Sequence, residues 1–184
     1  ADELARLIEL SLENPARELM WGAPGTLLAA LFLHRHTRDG RWAELYRRTA
    51  RALKGQMVWS EEHGCWCWTQ ELYGRTERAL DAIHGFAGTA LPLIAGHDLL
   101  DDWPDWAARI ARTITCTAIR EDGCASWPVG LEPPAGRPGK KLMQYCHGAP
   151  GFVITLAGFP GKNLDALLVE GGEATWRAGP PAKG

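Results

Sequence analysis

Cys146 and His84 are the side chains whose type and setting best suit chemistry, because each stands within two residues of a glycine turn that opens an apolar run. The cysteine lies in Gln144-Tyr145-Cys146-His147-Gly148-Ala149-Pro150-Gly151 and the histidine in His84-Gly85-Phe86-Ala87-Gly88. A cysteine acts as nucleophile or metal ligand only as its thiolate, and a free thiol titrates at about 8.5. Histidine ordinarily exchanges protons near neutrality, and at a helix N-terminus it sits in positive potential. Thiol chemistry with a proton donor nearby is the reaction type these two residues suit. Both also have a plain structural reading, His84 as a residue packed on its helix and Cys146 as a small buried apolar side chain.

The remaining donors are weaker. His147 is read as a helix-entry residue, since adjacent side chains diverge and do not chelate one metal. His63, Cys65 and Cys67 do not have the spacing of a common zinc site and are read as an unligated loop. Cys116 is read as packing, and Cys124 carries no assignment. Glu61-Glu62 and Asp101-Asp102 are adjacent pairs in loops, which gives little support to sugar chemistry by two separated carboxylates.

The elements that must position these residues repeat. Trp21-Gly22-Ala23-Pro24-Gly25 stands upstream of the other two turns, and the first glycines fall at 22, 85 and 148, 63 residues apart. A Gly-x-x-Gly turn before an apolar segment at a fixed period predicts stacked copies of one unit. The inner segments are Thr26–His34, Thr89–Leu99 and Phe152–Ala157, and the first of these is apolar on every face, which predicts burial all round. Pro92 limits the second at its start. The outer helices are Arg41–Lys54, Trp103–Arg120 and one starting near Asn163 that Gly171-Gly172 interrupts. Ala1–Asn14 is a further amphipathic helix with Leu4, Leu7, Ile8 and Leu12 on one side. Ser60–Gln70 and Glu121–Lys140 are read as loops. The fold class is therefore all-α, one domain over residues 1–184, with the three glycine turns gathered at one end of the inner helices. On that plan His84 and Cys146 face one central cavity.

Composition narrows the function classes. A formal net charge of −2 over 184 residues offers nothing for nucleic acid or an anionic membrane surface. The apolar run Leu27–Leu33 stops at His34-Arg35-His36, well short of a membrane span. Five cysteines, odd in number and unevenly spaced, make no disulfide framework and point to a cytoplasmic setting.

The chain resembles the lanthionine synthetase C-like family, the LanC cyclases and their eukaryotic relatives. The resemblance rests on Cys146-His147-Gly148-Ala149-Pro150-Gly151, on His84-Gly85-Phe86-Ala87-Gly88, on Trp68-Thr69-Gln70-Glu71-Leu72-Tyr73-Gly74 and on the repeated Gly-x-x-Gly. It implies an α/α toroid of concentric helical hairpins, of which this chain is an incomplete arc. It also implies zinc-dependent addition of a thiol to dehydroalanine or dehydrobutyrine, with a dehydrated precursor peptide or a glutathione-type thiol as partner. Carried over residue by residue, Cys146 matches one zinc ligand and His84 the acid/base histidine. Glu18 stands where many members carry an acidic residue, usually Asp. The family's second Cys-His ligand pair has no counterpart here, since His147 is the only histidine after Cys146 and no cysteine follows it. The chain is expected to be the middle portion of a longer protein or a truncated gene product, holding little zinc and showing no activity by itself. A non-catalytic peptide- or protein-binding scaffold is the other reading.

Overall fold

In the computed structural model, residues 1–132 and 142–179 are described, and the statements below concern them. Seven helices and six short strands alternate: α1 (Asp2–Leu10), α2 (Ala23–Thr37), α3 (Gly40–Gln56), β1 (Val58–Ser60), β2 (Cys65–Cys67), β3 (Gln70–Leu72), β4 (Arg75–Glu77), α4 (Phe86–Ala95), α5 (Trp103–Cys116), β5 (Ile119–Glu121), β6 (Cys124–Ser126), α6 (Ala149–Leu156) and α7 (Asp165–Ala178). The inner helices form a row, with α4 packed against α2 on one side and α6 on the other.

That row explains which inner helix is buried. In α4 eight residues, from Phe86 to Ile94, are buried, because a helix flanks it on both sides. The expectation that the first inner helix is buried all round does not hold. Phe32 in α2 is 69% exposed and Ile154 in α6 is 62% exposed, since each of these helices has one flank that no described element covers. The N-terminal helix departs in the same way. Ile8 is its one buried residue, while Leu4 and Leu7 are about half exposed.

The all-α expectation needs a correction. Three two-stranded antiparallel sheets, β1-β2, β3-β4 and β5-β6, are present: β2 and β6 lie in stretches read as loops, and β5 takes the end of the stretch read as the outer helix Trp103–Arg120, which stops at Cys116. Each strand has three residues, too few for alternation to stand out, although Cys65 and Cys67 do share the buried face of β2. Two turns carried a signal. Asp122 (φ 50°) with Gly123 (φ 74°), and Tyr73 (φ 53°) with Gly74 (φ 72°), are left-handed pairs that suit the twist of a tight hairpin. Two of the hairpins, β1-β2 and β5-β6, belong to the repeat. β2 packs on α5 and β6 packs on α7, so each hairpin seats the outer helix of the following unit. Each is followed by a tryptophan that closes the preceding outer helix. Trp68 Nε1 donates to Leu53 O at 2.7 Å and Trp127 Nε1 to Ile114 O at 2.8 Å.

Two helix boundaries also differ from the sequence expectation. Pro92 lies inside α4, because the helix starts at Phe86, and the Pro92 carbonyl accepts from the buried Tyr46 hydroxyl at 2.9 Å. Gly171-Gly172 does not interrupt α7. A Cβ at Gly171 would stand 2.9 Å from Val153 Cγ2 and 3.2 Å from Trp127, so this glycine lets α7 lie close on α6 and on the Trp127 ring.

Candidate functional site

The three glycine turns do gather. A Cβ built on the second glycine of each would press on the carbonyl six residues earlier: Gly25 on Leu19 O at 2.2 Å, Gly88 on Ala82 O at 2.7 Å, Gly151 on Tyr145 O at 1.9 Å. Those carbonyls are again 63 residues apart, so one backbone geometry recurs. Successive turns touch. Leu19 N donates to Ile83 O at 3.4 Å, and a Cβ on Gly151 would meet Ala82 Cβ at 2.6 Å.

This recurrence places side chains in register. Four residues before the first glycine stand Glu18, Asp81 and Gln144; immediately before it stand Trp21, His84 and His147. The two acidic residues act alike. Glu18, fully buried, accepts from Met20 N at 2.8 Å and from Trp21 N. Asp81, 2% exposed, accepts from Ile83 N at 2.8 Å and His84 N at 2.7 Å. Each carboxylate thus ties down the turn that follows it, where helix N–H groups lack partners.

Each then reaches the ring of the next turn. His84 Nδ1 lies 2.9 Å from Glu18 Oε2, and His147 Nδ1 lies 3.8 Å from Asp81 Oδ2. The first is a hydrogen bond, whereas the second is an ion-pair distance that leaves the buried His147 Nδ1 without a hydrogen-bond partner. A carboxylate only accepts, so this hydrogen bond needs the proton on His84 Nδ1. The His84 side chain is 27% exposed, open enough for a substrate to reach.

Cys146 is half-buried, and its Sγ donates to Gln144 Oε1 at 3.7 Å. Asp81 links His84, through its backbone N–H, to His147, the chain neighbour of Cys146. Of the residues singled out from sequence, Glu18 and His84 come together directly. Asp81 was missed, and its signal was the acidic residue four positions before a repeated glycine. Trp21 and Tyr73 were also missed as neighbours of His84, with ring centroids at 6.1 and 6.2 Å.

Among the described residues, no group of three or more His, Cys, Asp or Glu side chains is arranged to hold a metal ion. Cys146 offers one thiol, and its neighbour His147 turns toward Asp81, so these residues do not make a zinc centre among themselves. The stretch His63, Cys65, Cys67 offers no substitute. Cys65 and Cys67 point into the core, and His63 Nδ1 lies 3.1 Å from Ser60 Oγ. Burial pushes the Cys65 thiol up to about 12, with the neighbouring Cys116 adding to the shift, and burial also raises Cys67. A thiol held protonated reacts slowly. Iodoacetamide on the native chain at pH 7.5 is therefore expected to spare Cys65 and Cys67, with mass mapping after digestion as the readout. Rapid labelling of either would show that β1-β2 opens.

No protein-family model matches the chain. It is similar to the LanC-like protein GCL1 of Arabidopsis thaliana, 28% identical over 169 residues that cover 88% of this chain. The resemblance to the LanC-like family is thereby borne out. The chain spans 37% of that relative's length. A match that covers 88% of the chain necessarily takes in His84 and Cys146. None of the described helices is long and apolar enough to cross a membrane.

Proposed function

We propose that this LanC-like chain carries the proton-transfer half of a thiol-addition site on part of an α/α toroid. The reaction joins a cysteine or glutathione-type thiol to dehydroalanine or dehydrobutyrine. The hydrogen bond from His84 to the buried Glu18 carboxylate carries the reading. In the addition, sulfur bonds to Cβ of the dehydro residue and the π pair moves onto Cα and the adjoining carbonyl as an enolate. The thiol proton is lost to solvent, and the enolate must be protonated at carbon. His84, oriented through Nδ1 by Glu18, delivers that proton from Nε2 and recovers one from solvent. Glu18 also balances the imidazolium charge, while its hydrogen bonds to the first turn stop it from turning away. Zinc, which the resemblance implies, finds one matching donor here in Cys146, and the reading above stands on the chain's own carboxylate and imidazole.

The test is thiol addition by the protein that carries these residues, followed as the mass gain of a dehydroalanine peptide with glutathione or a cysteine peptide. His84→Ala is expected to lower the rate by about 10²- to 10⁴-fold. An unchanged rate would favour the scaffold reading. Metal analysis supplies a second check. The purified 184-residue chain is expected to hold well under one zinc per molecule, because one thiolate supplies a small part of a three-ligand site's affinity. Tight one-to-one zinc that survives Cys146→Ala would place the metal elsewhere.

A further inference from the structure

Three aromatic rings meet at the exposed edge of the Glu18–His84 pair. Trp21 and Tyr73 lie edge to face, 5.3 Å apart at 75°, and both lie near the His84 ring. Two features set this cluster apart from ordinary surface aromatics.

The first is how firmly Trp21 is held while its ring stays open. Its N–H donates to Glu18 Oε1, and its carbonyl accepts from Asn14 Nδ2 at 2.9 Å. The carboxylate that orients His84 therefore also positions Trp21. Yet Trp21 is 55% exposed. In the 63-residue register it occupies the same place as His84 and His147, so the repeat delivers it to the same end of the inner helices.

The second is the backbone of Tyr73. It sits at the tip of the β3-β4 hairpin with φ 53°, a left-handed position that glycine, asparagine or aspartate takes readily and that costs a bulky L-residue about 1 kcal/mol or more. Its side chain is 74% exposed, so core packing does not offset that cost. What the tyrosine gains there is ring contact with Trp21 and His84. A strained residue retained at the rim of a candidate site points to use by a ligand.

We propose that Trp21 and Tyr73 form an aromatic clamp that seats the planar dehydroamino acid residue of the substrate against His84. The inference rests on the thiol-addition reading and adds the means of substrate recognition. A dehydroalanine residue has sp² Cα and Cβ conjugated with its amide, so it presents a flat, uncharged π surface that an indole face accepts by offset stacking. Stacked there, Cα comes within the reach of the histidine that protonates it. Addition turns Cα tetrahedral and removes the flat surface. The clamp therefore holds substrate better than product, which favours release after each turnover.

The experiment reads binding without turnover. ¹H–¹⁵N spectra of the 184-residue chain are recorded against N-acetyl-dehydroalanine methylamide and its saturated analogue, N-acetyl-alanine methylamide. The Trp21 indole resonance is assigned with Trp21→Phe, and mass spectrometry confirms that no cysteine has added to the probe. The dehydro probe is expected to shift the Trp21 indole at millimolar concentration and to bind at least threefold tighter than the saturated one. Tyr73→Phe should keep that preference. Tyr73→Asn suits the left-handed turn better than tyrosine does, so its melting temperature should be equal or higher while probe affinity falls about three- to tenfold. Equal shifts from both probes, no shift from either, or full affinity in Tyr73→Asn overturn the clamp. An active protein whose Trp21 ignores both probes sinks the clamp and leaves thiol addition standing. Selective binding together with an unchanged addition rate in His84→Ala supports the clamp and sinks the catalytic role of His84.

Discussion

Glu18→Ala is expected to destabilise the chain by about 3–5 kcal/mol, because it removes one buried acceptor from several donors at once. The carboxylate is fully buried and accepts from three donors: Met20 N, Trp21 N and His84 Nδ1. Alanine leaves all three without their acceptor, and each donor that stays buried and unpaired costs about 1–3 kcal/mol. The costs do not add fully, because Trp21 and His84 lie near solvent and can recruit water. For a chain of this length the melting temperature should fall by roughly 6–20 °C, at about 2–4 °C per kcal/mol. Glu18→Gln keeps one acceptor oxygen and should fall between wild type and alanine. Urea titration monitored by circular dichroism measures both. A loss below about 1 kcal/mol would mean that the first turn closes without the carboxylate, and the account of Glu18 as its anchor would fail. In the addition assay, Glu18→Ala should also lose most of what His84→Ala loses, because the imidazole is no longer oriented.

Gly148→Ala is expected to be as damaging for a different reason. Gly148 has φ 98°, and a Cβ there would stand 1.7 Å from the Leu142 carbonyl oxygen. The residue caps the N-terminus of α6, so moving it displaces the helix that packs on α4. Backbone strain and overpacking together are worth about 3–5 kcal/mol. In a domain stable by about 5–15 kcal/mol this is enough to loosen the third unit. The control is the same chemical change at Gly172, which is helical and has nothing within 4 Å of an added Cβ. Gly172→Ala should stabilise by about 0.5–1 kcal/mol, since alanine is the better helix former. The pair should therefore move the urea midpoint in opposite directions. Equal small effects would show that the third turn tolerates a side chain.

The period of the fold was legible in the sequence because glycine marks it. Only glycine allows the backbone approaches at positions 25, 88 and 151, so the turns had to recur as Gly-x-x-Gly whatever packed around them. The amphipathic outer helix at Trp42, Leu45, Tyr46, Thr49 and Leu53 was legible for a similar local reason, since its buried residues follow the helical period. The motifs around His84 and Cys146 carried the LanC-like resemblance, and Glu18 followed from it.

Tertiary structure decided the rest. Three-residue strands have no periodicity to read, so the hairpins that seat α5 and α7 were missed, although Asp122-Gly123 is a hairpin turn pair. Gly171 looked like a helix breaker. It is a contact point, because the Trp127 ring fills the space beside it, and that neighbour is 44 residues away in sequence. Burial of the inner helices depended on flanking elements, so Phe32 and Leu27 share one apolar run yet one is exposed and the other buried. The site shows the same division. Local sequence placed a carboxylate four residues before a glycine and a ring just before it, since capping and turn geometry act over a few residues. That the carboxylate of one turn holds the ring of the next is a contact across 66 residues, and it exists only because α2 packs against α4.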